Sequence, residues 1–465
     1  MSHITAWEDD PLSASPVEPV ERPAPVIAGP RFGLEMAGSR PPVRAYPLGT
    51  AGFRYWNAAD SLSRAVRSWS RVLPEGTRWH IHRPLVVDLD AGKDLNAYYD
   101  RQGLCFFHER VRGVTVYSGE SPDVVCHELG HAVLDAVRPQ LWNAASIEVA
   151  SFHEAFGDIS AMLSALELGS VRDAVLEATS GRIARASRLS RLAEQLGWAI
   201  RQSHPDAVDA DCLRNAVNSF FYRQPEHLPP MGPASALSSE PHSFSRVFTA
   251  AWLESLAGMC DSSAATTPDA LSAIAADASR LLISAVSRAR VTSNYFAQIA
   301  AGLLAADGEQ CGGRYHAAIR RAFVERGILS MSSAVALVEG GDARGAAPES
   351  RPGPELRAVE VPVDGRAYGL RLRRLLVEVP LGPSRQSAAS AAPDLGSLAA
   401  ATPDLAGRAF VEDLLRRGRV DISGVKRGSP LALRHGRATH AIVRQGPRAR
   451  LVRRLFHECV DAARA

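Results

Sequence analysis

The stretch His127-Glu128-Leu129-Gly130-His131 decides how this chain of 465 residues is interpreted. Residues four apart on a helix project from one face, because four residues are little more than one helical turn. Both histidines could therefore give a ring nitrogen to one tetrahedral zinc ion. Glu128 would then lie close to a metal-bound water and could take its proton. This H-E-x-x-H arrangement is typical of zinc hydrolases.

The helix that carries this stretch needs a partner, because a catalytic zinc ion has three protein ligands and one open position. The helix is predicted to begin at Ser121-Pro122, where an N-cap residue is followed by proline. One known solution continues the same helix as H-E-x-x-H-x-x-G-x-x-H. Leu134 and Val137 stand where that pattern needs glycine and histidine, so the metzincin class is excluded.

A second helix, predicted from about Ser146 to Leu168, offers the missing ligand. Its apolar residues cover more than one face, so it should be largely buried. Glu154 and Asp158 lie one turn apart on it, and carboxylates among apolar residues are costly unless they are paired or bound to a metal. A zinc ion removes this cost if Glu154 is a ligand and Asp158 accepts the remaining ring N–H of a ligand histidine.

Glu148 and His153 are competing candidates for the third ligand. Glu148 has no acidic residue four positions downstream. His153 would point about 100° away from Glu154 around the helix, so we favour Glu154. The alternative to a metal site is a pair of buried helices whose polar side chains are merely hydrogen-bonded. It would have to explain why five polar residues lie on two apolar helices.

The two helices together resemble those of the thermolysin-type gluzincins, whose pattern is H-E-x-x-H followed by E-x-x-x-D. The flanking segments Asp123–Val125 and Ala132–Asp135 are also similar to that family's first zinc helix. The resemblance covers roughly residues 80 to 330. It implies that the three zinc ligands are His127, His131 and Glu154. It also implies that Glu128 is the general base and that Asp158 orients a ligand histidine.

The resemblance also implies residues that hold and polarise a substrate. Asn96 and Ala97 are similar to the start of the edge strand with which the family binds peptide backbone. His242 resembles the histidine that stabilises the oxyanion beside the metal, and Arg214 resembles the arginine that grips the substrate carbonyl. Taken singly, each has an ordinary alternative: a turn at the end of a strand, a surface histidine or a solvated charge.

The chain departs from the family pattern in three respects. No residue matches the family's oxyanion-side tyrosine; Trp142 lies nearest, with an indole N–H in place of the hydroxyl. Acidic loop clusters that bind calcium are not evident, so Zn²⁺ is expected as the cofactor and calcium is not. The N-terminal lead is too short for the usual inhibitory pro-region, which leaves the restraint on activity open.

Composition favours a soluble cytoplasmic protein without membrane association. Apolar residues make up 46% of the chain and charged residues 22%, and the net charge of +3 is too small for a general polyanion-binding protein. The N-terminus shows no signal-peptide pattern, and no uncharged apolar stretch is long enough to span a bilayer. Six scattered cysteines do not form a disulfide framework at this length.

The patterns predict an α+β fold with a zincin-like catalytic domain and a small α+β C-terminal domain. The catalytic domain should have an N-terminal β-sheet lobe that includes the first zinc helix, and a mainly helical second lobe. The predicted boundaries are 1–45 for a disordered Pro-rich lead, 46–335 for the catalytic region (46–140 and 141–335 for its lobes), 336–355 for a linker, and 356–465 for the C-terminal domain with a low-complexity insert at 382–403. Helices are predicted at 60–72, 122–138, 146–168, 171–202, 208–221, 243–259, 268–289, 292–306, 313–327 and 404–417.

The C-terminal domain is basic, with 19 Lys and Arg residues against 8 Asp and Glu residues from position 366 onwards. No nucleic-acid-binding motif accompanies this charge. We therefore favour a solvated strand face or a docking site for a protein partner over a nucleic-acid interface.

These patterns predict a zinc metalloendopeptidase that hydrolyses a peptide or protein substrate by means of a zinc-bound water activated by Glu128. One alternative is a catalytically weak or inactive scaffold with the zincin fold. Others are a zinc hydrolase of non-peptide bonds, and a protein whose basic C-terminal domain binds nucleic acid or an acidic partner. The physiological substrate and the oligomeric state stay open.

Overall fold

A computed structural model describes residues 3–12, 18–27, 31–263, 266–330, 358–380, 402–423, 425, 438–445 and 448–457. These residues form a mixed α+β structure, as predicted. The predicted linker at 336–355 lies outside the described residues, and so does the predicted insert at 382–403 except for its last two residues.

The predicted disordered lead is wrong for the described part of residues 1–45. Strand β1 (His3–Ala6) pairs antiparallel with β2 (Val20–Pro23), and β3 (Leu34–Met36) pairs with a later strand. The Trp7 N–H donates to the side-chain oxygen of Asn57 at 2.7 Å, which ties this segment to the first helix. Strands of three or four residues are too short to produce a readable alternation among prolines and serines.

A five-stranded sheet lies beside the two predicted zinc helices. Its strand order is β16-β5-β6-β4-β3. The strands β3, β4 and β6 run parallel, whereas β5 and β16 are each antiparallel to their neighbours. The new strands of this sheet are β4 (Leu85–Asp88), β5 (Ala97–Tyr99), β6 (Gly103–Phe106) and β16 (Phe456–His457), and a hairpin of β7 (His108–Val111) and β8 (Val114–Tyr117) follows β6.

The helical part of the fold is built around α3, which packs against α1, α2, α6, α7 and α8. Each of the two predicted zinc helices begins at a serine whose hydroxyl accepts a backbone N–H, at Ser121 for α2 and at Ser146 for α3. The helices of this part are α1 (Ala51–Ser70), α2 (Pro122–Val137), α3 (Ile147–Leu166), α4 (Gly169–Thr179), α5 (Glu194–Arg201), α6 (Pro241–Ser262), α7 (Pro268–Arg288), α8 (Tyr295–Cys311) and α9 (His316–Glu325).

Two of the predicted helices are wrong. The region 171–202 is interrupted between α4 and α5 and contains strand β9 (Arg191–Leu192). The region 208–221 holds no helix; instead β10 (Arg214–Asn215) pairs antiparallel with β9. Side chains compete for the backbone there, since the Asn215 N–H donates to a carboxylate oxygen of Asp209 at 2.7 Å.

Helix α7 is long and apolar enough to cross a membrane by length and composition alone. In the fold, 56% of its most apolar window is buried against other residues. That burial is typical of a core helix in a globular protein.

The residues predicted to form the C-terminal domain contain a second five-stranded sheet, in the order β11-β12-β15-β14-β13. One helix, α10, packs on strands β11 and β12. After β15 the chain leaves this sheet and joins the first one as β16. The elements are β11 (Ala358–Val363), β12 (Leu375–Pro380), α10 (Pro403–Arg416), β13 (Val420–Asp421), β14 (His440–Gln445) and β15 (Arg448–Arg453).

Candidate metal centre

Two glycines let helices α2 and α3 approach closely enough to share a site. A Cβ atom at Gly130 would lie 2.8 Å from Cβ of Ser160 and 3.0 Å from Cα of Gly157. A Cβ atom at Gly157 would lie 2.6 Å from Cε1 of His127. Real Cβ atoms do not come this close to other heavy atoms, so both positions need glycine.

The three predicted ligands converge between these helices. Oε2 of Glu154 lies 3.4 Å from Nε2 of His127 and 3.6 Å from Nε2 of His131. Ligand bonds of about 2.0–2.2 Å in a tetrahedron would separate two ligand atoms by about 3.3–3.6 Å. Two imidazole nitrogens and one carboxylate oxygen at these separations fit a zinc ion.

Glu128 belongs to the same buried group. Ligand-type atoms of His127, Glu128 and His131 all lie within 4.8 Å of one another. Glu128 itself is fully buried. The helix thus brings a carboxylate that is not needed as a ligand to the edge of the centre, which is where a general base would have to be.

Asp158 and Arg214 support the first histidine. Nδ1 of His127 lies 3.0 Å from Oδ1 of Asp158, and Nη2 of Arg214 donates to the same oxygen at 2.7 Å. Burial alone would raise the pKa of Asp158, but Arg214 and His127 lower it to about 2. An ionised Asp158 accepts the Nδ1 proton and so keeps Nε2 of His127 available to a metal.

The arginine reaches this position on the short strand β10 rather than on the predicted helix. Its guanidinium group is bound to the carboxylate of Asp158. The sequence alone did not predict this contact. Its predicted grip on a substrate carbonyl stays a prediction.

His242 comes next to the ligand carboxylate, although it is far away in sequence. Its Nε2 lies 3.1 Å from Oε2 of Glu154, and its Nδ1 lies 2.7 Å from Oε1 of Glu240. Burial alone would lower the pKa of His242, but the two carboxylates raise it to about 10. His242 is therefore protonated at neutral pH and donates from both ring nitrogens.

Sequence reasoning missed Glu240, the residue that holds His242. The Glu240 side chain also accepts the N–H of Ser243 at 2.8 Å and so caps the first turn of α6. The available signal was an acidic residue immediately before a proline, three positions ahead of the predicted helix 243–259.

The two competing ligand candidates lie elsewhere. Glu148 accepts hydrogen bonds from the Tyr222 hydroxyl at 2.6 Å and from the Phe296 N–H at 2.8 Å. Burial raises the pKa of Glu148 to about 8. The ring of His153 is stacked on Phe456, with 4.0 Å between ring centroids.

The predicted substrate residues lie beside the centre on the sheet. Asn96 directly precedes β5, and its side-chain oxygen accepts the N–H of Ala97 at 2.9 Å. Ala97 itself begins β5 and is fully buried. The Trp142 indole N–H donates to the carbonyl oxygen of Arg453 at 3.2 Å, so this N–H binds the C-terminal domain.

Sequence reasoning also missed that β16 lies along β5. Phe456 pairs with Tyr99, and His457 pairs with Tyr98. Phe456 and His457 follow soon after β15 in the chain, and a sequence pattern carries no signal that they join another sheet.

A second buried group, Asp10, Asp123 and Glu194, has ligand-type oxygens within 4.8 Å of one another. The structure brings it together from three distant segments. Burial raises the pKa of Asp10 to about 6 and that of Glu194 to about 10. Protonation of Glu194 at neutral pH therefore reduces the negative charge of this group.

A scan of this sequence against protein-family models found no match, and a search of curated proteins found none either. The function is therefore inferred from the geometry of the site.

Proposed function

We propose that the protein is a zinc metalloendopeptidase with a zincin-like catalytic domain of the gluzincin type. The observation that carries this proposal is the position of Glu154 Oε2, 3.4 and 3.6 Å from the Nε2 atoms of His127 and His131. Two buried helices bring these atoms to zinc-like separations, and a buried carboxylate, Glu128, belongs to the same group.

Each residue of the centre has a separate task. A zinc ion held by the three ligands would polarise the scissile carbonyl and make a water molecule more acidic. Glu128 would accept a proton from the attacking water and deliver it to the leaving amine. His242, whose Nδ1 is held by Glu240, would donate from Nε2 to the oxyanion.

The sheet supports a peptide substrate over a non-peptide one. In this structure the backbone of β5 is paired with an antiparallel extended strand of the same chain, β16. An extended peptide chain is the ligand that the N–H and C=O groups of a strand edge recognise.

The proposal is tested by replacing Glu128 with glutamine. Zinc content is measured by mass spectrometry, and hydrolysis is measured with an unstructured protein as substrate. Each chain is also assayed with Phe456→Asp added. The Phe456 ring is stacked on His153 and on the predicted ligand His131, so the substitution removes a side chain that lies against the centre. We expect about one zinc ion per chain in all of them, with hydrolysis slowed on the order of 10²–10⁴-fold when Glu128 is lost.

Two results would contradict the proposal in different ways. A chain without zinc would overturn the metal centre. Bound zinc with no hydrolysis by the Phe456→Asp chain that retains Glu128 would overturn the peptidase and favour a binding scaffold.

A further inference from the structure

Strand β16 lies where an extended peptide substrate would lie beside β5. Phe456 is opposite Tyr99 and His457 is opposite Tyr98, in an antiparallel pair. Among the described residues, β5 would be the edge of its sheet without β16. An edge strand offers unpaired N–H and C=O groups to any extended chain. The C-terminal residues therefore use the backbone groups that were predicted to bind substrate.

The carbonyl group of His457 faces the predicted oxyanion-stabilising residue. Nε2 of His242 donates to this oxygen at 2.5 Å. The same nitrogen lies 3.1 Å from Oε2 of Glu154, the third predicted ligand. A peptide carbonyl of the chain itself is thus held next to the metal centre.

The side chain of Phe456 occupies an aromatic pocket and is 2% exposed. Its ring is stacked on His153 with 4.0 Å between centroids and on His131 with 4.9 Å. The edge-on contact with Trp142 has a centroid distance of 5.4 Å. Because His131 is a predicted ligand, the Phe456 ring lies directly against the predicted centre.

The segment is held by two hydrogen bonds between Arg453 and Trp142. Arg453, at the end of β15, donates from Nε to the Trp142 carbonyl at 3.0 Å, and its own carbonyl accepts the Trp142 indole N–H. The Arg453 guanidinium group also lies 4.0 Å from the centroid of the Phe456 ring. At least one arginine of the basic domain therefore serves to hold β16.

The C-terminal domain that delivers β16 is itself bound to the helical lobe. The Ser239 hydroxyl donates to Asp413 of α10 at 2.6 Å, and the Ala145 N–H donates to the Glu378 carbonyl of β12 at 2.9 Å. These contacts reduce the entropy lost when β16 pairs with β5, because the strand is already held nearby.

We propose that the groove beside β5 binds extended peptides with an aromatic residue at the Phe456 position, and that Phe456–His457 is its inhibitory occupant within the same chain. The claim that this occupant inhibits hydrolysis rests on the proposed peptidase function. The presence of the occupant in the groove is independent of that function and is measured by peptide binding and by amide exchange.

The experiment compares parent and Phe456→Asp chains, both carrying Glu128→Gln to prevent hydrolysis. The probe is a fluorescent synthetic peptide with the sequence of residues 451–458. We expect the Phe456→Asp chain to bind it at least about tenfold more tightly, because the groove of the parent is already filled. The backbone amides of β5 should also exchange with deuterium faster in the variant, since they lose their partner strand.

Matched controls separate displacement of the strand from general damage. Phe456→Leu keeps an apolar side chain and should behave more like the parent. Leu405→Asp changes an exposed residue of α10 outside the groove and should leave both measurements unchanged. A peptide with alanine in place of the phenylalanine should bind the Phe456→Asp chain more weakly.

Several outcomes would overturn the proposal. One is equal peptide affinity and equal amide exchange in the parent and the Phe456→Asp chain. Another is equal affinity of the Phe456→Asp chain for the phenylalanine and alanine peptides. A third is removal of residues 458–465 by the chain that retains Glu128, because the strand would then be a substrate. By contrast, tight peptide binding without hydrolysis in any chain would support the occupied groove and overturn only the peptidase.

Discussion

At the level of single residues, the choice between Glu154 and Glu148 is the sharpest test of the metal centre. Glu154→Gln should lower zinc affinity by more than Asp158→Asn, for which about 10–100-fold is expected because Asp158 only orients His127. Glu148→Gln should leave zinc affinity unchanged, since Glu148 is bound to Tyr222 and Phe296. Competition with a fluorescent chelator measures all three.

Equal losses of zinc from the Glu148 and Glu154 variants would contradict this ligand assignment. Circular dichroism of the three variants shows whether a loss of zinc merely follows a loss of fold.

Glu148 also predicts a pH dependence of stability. Burial raises its pKa from 4.5 to about 8, so between these values the folded chain keeps a proton that the unfolded chain has released. The folded state then binds more protons, and the free energy of unfolding must fall as pH rises from about 5 to 8. The contribution of this residue has a slope of about 1.4 kcal/mol per pH unit.

Glu148→Gln should remove this contribution, so its urea-unfolding free energy should fall less steeply between pH 5 and 8. Glu177→Gln, at an exposed position of α4, is the matched control and should keep the parent slope. Identical slopes in parent and Glu148→Gln would show that this carboxyl is not protonated in the fold.

The residues at the centre were predictable to different degrees for physical reasons. His127, Glu128, His131, Glu154 and Asp158 follow from helical spacing, which fixes which side chains share a face. Glu240 and the contact between Arg214 and Asp158 depend on how distant segments pack, and local periodicity does not encode that.

At the level of elements, the close approach of α2 and α3 depends on Gly157. A Cβ atom there would overlap the His127 ring, so Gly157→Ala should displace the ring, weaken zinc binding and reduce the free energy of unfolding by about 1–3 kcal/mol. Gly308→Ala on α8 is the control, because a Cβ atom there meets nothing within 4 Å. It should raise helix stability by about 0.5–1 kcal/mol.

Retention of full zinc affinity by Gly157→Ala would mean that the helices can separate without disturbing the centre. Zinc titration and urea unfolding of the same samples distinguish a displaced ring from a destabilised fold.

Long amphipathic helices were predicted well, whereas short strands were not. Helix α7 extends over Pro268–Arg288, close to its predicted range, because 21 residues give a clear period and a proline marks its start. Strands β9 and β10 have two residues each, which is too few for any alternation. Their pairing arises from tertiary contacts that override local helical preference.

At the level of the whole molecule, the predicted N-terminal and C-terminal parts are less separate than their composition suggested. Asp10 accepts hydrogen bonds from Ser121 at 2.6 Å and from the Gln195 N–H at 2.8 Å. The C-terminal domain contributes β16 to the sheet beside the metal centre. Composition marks where a segment lacks periodicity, but it does not show which surface that segment covers.

The completion of this sheet by residues near position 457 has a consequence for the order in which the molecule is made. A ribosome adds about 5–20 residues per second, so β16 is synthesised about 15–65 s after helix α2. During that interval the growing polypeptide carries β5 with an unpaired edge, which is a site for aggregation or for capture by a chaperone. Strand β16, which is synthesised after every other described strand, therefore also protects the newly made protein.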